Sequence, residues 1–466
     1  MPEPLLGNCP SHGNPGQSLK ITHRSHEVIA EAFARHEGTR DLAPRLRLRL
    51  KHCVRSPGLL RWRHTGLLLR CAVALESTRR ANAARLGRNR FDDWIAMPIY
   101  PPFTPIISAL PSTVPFVGPE AQERAGGQKF RARIGANESS FGPSPSVIAS
   151  MTEAAPDMWM YCDPDNHDVK VAVAAHHGVK PENIVIGEGI DGLLGLIARM
   201  YVGAGEPVVT SLGAYPTFNF HIASVGGRLV PVPYKNDRED LDGLLAAVRR
   251  ENSRLVYLSN PDNPMGSWWD ADEISRFVEA LPETTMFILD EAYCELAPAS
   301  ALPAIDVSRP NVVRMRTFSK AYGLAGIRCG YAIGEETVIA AFEKIRNHYG
   351  VSRMAQIAGE AAIKDQAWLA EVVRRVEAGR QRIAAIAAEN GLDALPSATN
   401  FVAVDCGRDG AFALKVLQNL LARGVFIRKP MVAGLDRCVR ISVGLDHELD
   451  ILAEELPKAL AAARAG

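Results

Sequence analysis

The chain has 466 residues, of which 47% are hydrophobic and 23% charged, and its formal net charge is +1. This is the balance of an ordinary globular protein, and it excludes a collagen-like, coiled-coil or wholly disordered chain. No apolar run approaches the roughly 20 residues that a membrane-spanning helix needs. The eight cysteines are scattered without a Cys-x-x-Cys pair. They indicate neither a disulfide framework nor a zinc site, and they favour a reducing cytoplasm.

The near-neutral total conceals a basic first segment, residues 1–96. This segment holds 17 basic against 8 acidic residues, a net charge of +9, whereas the remainder holds 36 against 44, a net charge of −8. A nucleic-acid arm or a targeting peptide would explain the positive charge. However, the acids do not suit a transit peptide, and Pro and Gly interrupt any helix-turn-helix pattern. We therefore expect a disordered or untranslated extension, because the sequence changes character at Met97.

From about residue 184, short β-branched runs alternate with helical stretches. The predicted strands are 184–186, 207–210, 228–233, 255–259, 286–289, 312–316 and 329–333. The predicted helices between them are 191–201, 241–251, 271–281 and 335–346. Because several of these strands are almost wholly apolar, the pattern predicts an α/β fold with a mainly parallel sheet between two layers of helices.

The rhythm changes after about residue 348. One long helix is predicted over 355–390, where Ala, Arg and Glu are abundant, and short strands follow at 400–405, 425–428 and 440–443. This pattern is typical of a smaller α+β unit. We therefore expect a large domain over 165–350 and a small domain assembled from 97–164 and 351–466.

The residues just after each strand indicate the site, since ligands of such sheets bind at the carboxyl ends of the strands. The glycine-rich turn 187–192 opens a helix and suits a phosphate, although such turns are common. Asp290 ends an apolar strand, where it either caps a helix or meets a cation. Lys320 follows another strand and could be an amine of lowered pKa that forms a Schiff base.

A single lysine is usually a solvated surface charge, but Lys320 has companions. Thr317 and Ser319 precede it and Arg328 follows it, while Asp290 ends a neighbouring strand. Together these groups suit a ligand that carries a phosphate, a ring-nitrogen cation and an aldehyde. Pyridoxal phosphate is such a ligand.

Four motifs, in this order and spacing, resemble those of the fold-type I aminotransferases. They are Asn260-Pro261-Asp262-Asn263-Pro264-Met265-Gly266, Asp290-Glu291-Ala292-Tyr293, Thr317-Phe318-Ser319-Lys320-Ala321-Tyr322-Gly323-Leu324-Ala325-Gly326-Ile327-Arg328 and Arg440-Ile441-Ser442-Val443-Gly444. Segments 137–145, 161–165 and 396–401 are similar to the histidinol-phosphate aminotransferase subgroup. The resemblance covers about residues 97–466. It implies an aspartate-aminotransferase-like fold, pyridoxal phosphate, a cytoplasmic homodimer and a role in histidine biosynthesis.

The resemblance also implies roles for the residues around the cofactor ring. Lys320 would hold the cofactor as an internal aldimine and then move the proton between substrate and cofactor. Asp290 would pair with the pyridinium nitrogen, which makes the ring an electron sink. Asn263 and Tyr293 would bond the ring hydroxyl, and Tyr215 would stack on the ring.

The remaining implied contacts concern the phosphate and the substrate. The cofactor phosphate would be held by the backbone amides of Ile190 and Asp191, with Thr317, Ser319 and Arg328. Tyr161 would reach the cofactor phosphate of the neighbouring subunit, so a homodimer is part of the prediction. Arg440 would bind the anionic end of the substrate through its bidentate fork. Asn137 and Asn400 are further substrate-binding candidates.

The substrate is less well defined. Arg428 matches an arginine near the substrate phosphate in the subgroup, although it could equally be a surface strand residue. Two turns depart from the family pattern: Gly189-Ile190-Asp191-Gly192 replaces Gly-Ser-Asp-Glu, and Asn263-Pro264-Met265-Gly266 replaces Asn-Pro-Thr-Gly. We therefore expect the donor to be histidinol phosphate or a related, possibly aromatic, amino acid, and the acceptor to be a 2-oxo acid such as 2-oxoglutarate.

Two other functions remain open. An amino-acid decarboxylase would use the same cofactor and fold, and an aminotransferase-like transcription regulator would use residues 1–96 to bind DNA. Amino transfer is favoured over decarboxylation because nothing in the sequence points specifically to decarboxylation. The positive charge of residues 1–96 supports the regulator, but no well-bounded helix-turn-helix pattern accompanies it. We expect no metal site, since the histidines past residue 96 lack ligand spacing. We also expect no nucleic-acid or membrane partner.

Overall fold

The computed structural model describes residues 102–111 and 117–465. The predictions for residues 1–96 lie outside this part of the chain, as do the first residues of the predicted small domain. Among the helices of the described residues, none combines the length and the apolar character needed to cross a membrane.

The strands are short and fall into three sheets. They are β1 (Ala132–Arg133), β2 (Ile184–Gly187), β3 (Pro207–Ser211), β4 (Arg228–Val232), β5 (Leu255–Ser259), β6 (Met286–Asp290), β7 (Val312–Thr317), β8 (Gly330–Ile333), β9 (Asp393–Ala394), β10 (Phe401–Asp405), β11 (Val425–Phe426) and β12 (Cys438–Ser442).

The α-helices surround these sheets. They are α1 (Pro105–Ala109), α2 (Pro119–Gly126), α3 (Pro145–Ala154), α4 (His167–His177), α5 (Gly189–Tyr201), α6 (Pro216–Ser224), α7 (Leu241–Glu251), α8 (Ala271–Ala280), α9 (Glu336–Glu343), α10 (Arg353–Lys364), α11 (Gln366–Glu389), α12 (Gly410–Ala422) and α13 (Asp446–Ala465).

The largest sheet has seven strands in the order β2-β8-β7-β6-β5-β3-β4. Strands β3 to β7 run parallel, and only β8 is antiparallel to its neighbours β7 and β2. Every residue of β5 is buried, as a strand covered on both faces requires. Along β5, Leu255 and Tyr257 pack towards α5 and α6, whereas Val256 and Leu258 pack towards α7 and α8. The predicted α/β class with a mainly parallel sheet is confirmed.

The strands predicted for the C-terminal segment form smaller sheets. In one of them β10 lies between β12 and β9 and is antiparallel to both, and in the other β1 pairs with β11 in parallel. The predicted strand 425–428 is too long, because regular pairing ends at Phe426. Arg428 instead forms an isolated bridge with Arg440.

The prediction of one long helix over 355–390 is wrong. Helix α10 ends at Lys364 and α11 begins at Gln366. Between them Asp365 has φ −93° and ψ 68°, outside the helical region, and its side chain accepts a hydrogen bond from Trp368 N. The composition of this stretch suits a helix throughout, but an aspartate is also a good N-cap, and here the capping preference prevails.

Candidate active site

Two adjacent parallel strands bring Asp290 and Lys320 to one edge of the large sheet. β6 ends at Asp290, which pairs in register with Met315 of β7, and Lys320 follows β7 by three residues. Burial raises the pKa of Asp290 to about 6. Burial, with the positive charges of Arg440 and Arg328, lowers the pKa of Lys320 to about 8. At neutral pH this amine gives up its proton more readily than an ordinary lysine, as proton transfer requires.

Asn137 connects Lys320 with residues from distant parts of the chain. Lys320 Nζ donates to the Asn137 carbonyl oxygen at 3.1 Å, and Asn400 Nδ2 donates to the same oxygen at 3.0 Å. Asn137 Nδ2 donates to the Tyr293 hydroxyl at 3.0 Å, while its Oδ1 accepts from Ser442 Oγ at 3.0 Å. The backbone φ of Asn137 is +57°, a left-handed conformation that asparagine tolerates well. These contacts bring four of the predicted site residues together.

Arg440 lies beside this network. Its Nη1 donates to Asn263 Oδ1, its Nη2 donates to the Gly135 carbonyl oxygen at 3.4 Å, and its guanidinium lies 5.1 Å from the centre of the Phe401 ring. Arg440 Nε and Asn400 Oδ1 are buried and have no hydrogen-bond partner among residues 102–111 and 117–465. Buried polar atoms are normally paired, so these two atoms can still bind a ligand.

A separate cluster of donors lies where α5 begins. Thr317 Oγ1 donates to Ser319 Oγ at 2.9 Å, and Arg328 Nη1 donates to the same oxygen at 3.4 Å. Gly189, the first residue of α5, has φ +79°, and a Cβ there would lie 2.7 Å from Arg328 Nη2. The first backbone N–H groups of a helix, which here include that of Ile190, lack partners within the helix and attract anions. Hydroxyls, guanidinium and helix N-terminus thus form a set of donors that suits a phosphate dianion.

The described residues therefore offer the groups that pyridoxal phosphate requires. The hydrogen-bond donors that suit a phosphate lie at the start of α5. The acid Asp290 ends β6, and the amine Lys320 follows β7. The unpaired polar atoms of Arg440 and Asn400 belong to the residues predicted to bind substrate. This donor chemistry fits the cofactor that the sequence predicts.

Other predicted site residues lie apart from the Asn137 contacts. The side chain of Asp191 bonds His221 Nε2 at 2.8 Å, and Tyr215 precedes α6, where burial raises its pKa. Arg428 Nη2 donates to the Val117 carbonyl oxygen at 2.6 Å, and its guanidinium lies over the Phe426 ring. Tyr161 is 82% exposed.

Sequence reasoning overlooked one contact of Asp290. The Tyr257 hydroxyl donates to Asp290 Oδ2 at 2.7 Å, and Tyr257 is fully buried in β5. A signal was present, because a tyrosine in the middle of a buried apolar strand needs a partner for its hydroxyl. The sequence does not say which residue that partner is.

Comparisons with known proteins show which family the chain belongs to. A family model described as aminotransferase class I and II matches residues 133–456. A solved histidinol-phosphate aminotransferase from Sinorhizobium meliloti, in complex with pyridoxal-5'-phosphate, is 58% identical with a TM-score of 0.76. The match covers 78% of this chain and 98% of that one.

More distant proteins extend the comparison. The histidinol-phosphate aminotransferase of Anaeromyxobacter sp. (strain Fw109-5) is 36% identical over 357 residues, which are 76% of this chain and 96% of that protein. A double mutant of Thermus thermophilus aspartate aminotransferase is 20% identical, has a TM-score of 0.64 and shares the fold; the match covers 78% of this chain and 100% of that one. The chain belongs to the aminotransferase class I and II family, the fold-type I pyridoxal-phosphate-dependent aminotransferases, and within it to the histidinol-phosphate aminotransferase subgroup.

Proposed function

We propose that this aminotransferase moves an amino group from histidinol phosphate, or a related amino acid, to a 2-oxo acid such as 2-oxoglutarate. Lys320 is the proposed residue that binds the cofactor covalently. The environment of the Lys320 amine carries this proposal. Burial and two arginines lower the pKa of Lys320 to about 8, and Asp290 ends the neighbouring strand. The similarity to histidinol-phosphate aminotransferases supports the choice of donor.

When bound, pyridoxal phosphate supplies a ring that withdraws electrons from the substrate carbon next to the amino group. Asp290 is the proposed partner of the ring nitrogen, because a buried carboxylate stabilises a proton there. Asn263 and Tyr293 are the proposed partners of the ring hydroxyl, and Tyr215 is proposed to stack on the ring. The donors of Thr317, Ser319 and Arg328, with the Ile190 and Asp191 amides, hold the phosphate in this proposal.

Lys320 is also the proposed general acid and base. With its pKa near 8, the amine can take a proton from the substrate carbon and return it at neutral pH. Its hydrogen bond to the Asn137 carbonyl oxygen restricts where Nζ can lie. The contact of Asn400 with the same oxygen holds Asn137 in place.

Two arginines are the proposed anion-binding groups for the substrates. Arg428 and Arg440 exchange backbone hydrogen bonds of 3.2 and 2.7 Å, so they are directly opposite each other. Residues paired in this way place their side chains on the same face. Guanidinium forks suit both the phosphate of an amino alcohol phosphate and the carboxylate of an amino acid. We propose that Arg440 binds the substrate anion nearer the cofactor ring and that Arg428 helps to bind the substrate phosphate.

A homodimer is part of the proposal. Tyr161 is 82% exposed, and its ring lies 5.2 Å from that of Tyr349, which is 54% exposed. Trp159, two residues before Tyr161 in the chain, is 81% exposed. Exposed apolar clusters commonly mark contact surfaces. In the proposed dimer Tyr161 contacts the cofactor phosphate of the other subunit.

We also propose a domain movement and a location for the protein. The large domain over 165–350 and the small domain of 97–164 with 351–466 are proposed to close over the substrate, which would exclude water from the reaction.

A cytoplasmic location is proposed because the described cysteines are free and buried: Cys162, Cys294, Cys329, Cys406 and Cys438.

Replacement of Lys320 by alanine tests the cofactor assignment. The purified wild-type protein should absorb near the visible edge through its bound cofactor, and Lys320→Ala should lose this band. Lys415→Ala removes an exposed lysine on α12 and should keep the band. A colourless wild-type protein that binds no cofactor, or a Lys320→Ala variant with an unchanged spectrum, would contradict the proposal.

A half-reaction screen tests the substrate. Single amino donors are mixed with the holoenzyme, and the loss of the absorbance band is followed without an acceptor. Histidinol phosphate should react faster than glutamate, histidine or aromatic amino acids. A slower reaction than with an aromatic amino acid would reject histidinol phosphate as the donor. Release of CO₂ from an amino acid donor, instead of formation of an oxo acid, would show decarboxylation.

A further inference from the structure

Asp290 has a buried hydrogen-bond donor on the neighbouring strand. Tyr257 lies in β5, which pairs with β6, and its hydroxyl is 2.7 Å from Asp290 Oδ2. The other carboxylate oxygen, Oδ1, accepts from Ala292 N at 3.0 Å. The two oxygens of Asp290 are thus held by two different donors.

Tyr257 is well suited to hold this contact in place. Its ring stacks on Phe218 of α6, with centroids 4.6 Å apart and planes 16° from parallel. Both rings are fully buried, so the hydroxyl has little freedom to find another partner. Burial raises the pKa of Tyr257 well above its ordinary value. The hydroxyl therefore stays protonated and donates.

We propose that Tyr257 is a positioning residue that keeps Asp290 ionised and correctly oriented for the ring nitrogen of the cofactor. This inference rests on the proposed role of Asp290. Burial raises the pKa of Asp290, and the hydrogen bond from Tyr257 acts against this effect. Without the hydroxyl, the buried carboxyl would favour its protonated form. A protonated carboxyl would no longer stabilise a proton on the ring nitrogen.

Tyr257→Phe tests the inference, because it removes one oxygen atom and leaves the ring stacked on Phe218. A hydrogen bond to a charged group is worth about 1.5–3 kcal/mol, which corresponds to a roughly 10- to 100-fold effect. In the holoenzyme we expect kcat to fall by about this factor with little change in KM. We also expect the pH titration of the cofactor absorbance to shift its midpoint and the cofactor to dissociate about tenfold more easily in equilibrium dialysis.

Tyr331→Phe is the matched control. Tyr331 is also buried in the large sheet, and its hydroxyl bonds His177 Nε2 at 2.9 Å, away from Asp290. Both variants lose one buried hydroxyl, so both should be somewhat less stable in urea. Only Tyr257→Phe should change the cofactor titration. The same spectral change in Tyr331→Phe would reduce the role of Tyr257 to general stability and would overturn the inference.

A double-mutant cycle separates this inference from the proposed function. If Tyr257 acts through Asp290, Tyr257→Phe should have no further effect on the titration in an Asp290→Asn background. Fully additive effects would overturn the inference. If Asp290→Asn changes the titration and Tyr257→Phe does not, the inference alone fails. If Asp290→Asn leaves the titration unchanged, the proposed role of Asp290 fails as well.

Discussion

Two adjacent carboxylates show how strongly single residues depend on their neighbours. Asp290 and Glu291 are consecutive and both are buried. Burial raises the pKa of Asp290 to about 6. Burial acts in the same direction on Glu291, but Arg316 and Arg314 outweigh it and lower the pKa of Glu291 to about 2. One acid can therefore respond to a ligand, whereas the other forms a permanent ion pair.

At this scale we predict that Glu291→Gln strongly destabilises the fold. Glu291 accepts from Arg314 at 2.6 and 2.9 Å and from Arg316 at 2.9 Å. Its loss would leave two buried guanidinium groups without their counter-ion, at a cost of about 3–5 kcal/mol. Urea unfolding measures the change.

The control is Glu371→Gln, because Glu371 also bridges two arginines, Arg374 and Arg375, but on the surface. The Glu371→Gln variant should lose much less unfolding free energy than the Glu291→Gln variant, since exposed ion pairs are screened by solvent. Equal losses in the two variants would contradict the prediction. The contribution of Glu291 to the free energy of unfolding depends on its ionised form. It should be complete above pH 4.5, the ordinary pKa of a glutamate, and should be lost as the pH falls towards 2, its pKa in the folded protein.

At the scale of the elements, caps decide where helices begin. Asp365 separates α10 from α11, and its side chain accepts from Trp368 N at 3.1 Å and from Ser146 Oγ at 2.6 Å. One residue thus begins a 24-residue helix and ties it to α3. The break redirects the chain although the residues on both sides favour a helix.

We predict that Asp365→Ala destabilises the protein by about 1 kcal/mol, the usual loss when an N-cap is removed. Asp365→Ser should retain most of the stability, because a serine hydroxyl can also accept from the Trp368 N–H. Thermal unfolding of the two variants beside the wild type is the measurement. Equal stability of the alanine and serine variants would show that Asp365 does not act as a cap.

At the scale of the whole molecule, Arg437 connects the large sheet with the three-stranded sheet. Its Nη2 donates at 2.7 Å to Asp237, which follows β4, and its Nε donates at 2.6 Å to Asp405 at the end of β10. It lies three residues before Arg440 and lines a cavity of about 260 Å³ between the loops that follow β4 and precede β12. The ion pairs therefore hold the segment that carries a proposed substrate-binding residue.

We predict that Arg437→Gln raises KM for the amino donor about fivefold, as the loss of about 1 kcal/mol of positioning energy would do, with a smaller effect on kcat. High salt should reduce the difference from the wild type, because these ion pairs are partly exposed. Arg382→Gln, which removes surface ion pairs with Asp446 and Asp450, should leave KM unchanged. A loss of kcat with unchanged KM would contradict this role.

Much of the large sheet could be predicted because its signals are local. Helix α7 has the predicted bounds 241–251, since an amphipathic run begins at the cap Asp240 and ends near Asn252. β5 also has its predicted bounds, because five buried residues lie between turn signals. Asp290 and Lys320 could be placed at one edge because parallel strands end together. Asp365 was missed because cap and helix propensities compete over a single residue.

By itself, the sequence determined the class of the fold and the mainly parallel direction of the central strands, and it predicted the set of groups that a phosphate, a ring nitrogen and an aldehyde require. These follow from hydrophobic periodicity and from which residues end each strand, and both are local properties. Only the tertiary structure decided that Asn137 contacts Lys320, 183 residues away, and that Tyr257 donates to Asp290. Such contacts depend on how distant segments pack, and hydrogen-bond geometry between them leaves no periodic trace in the chain.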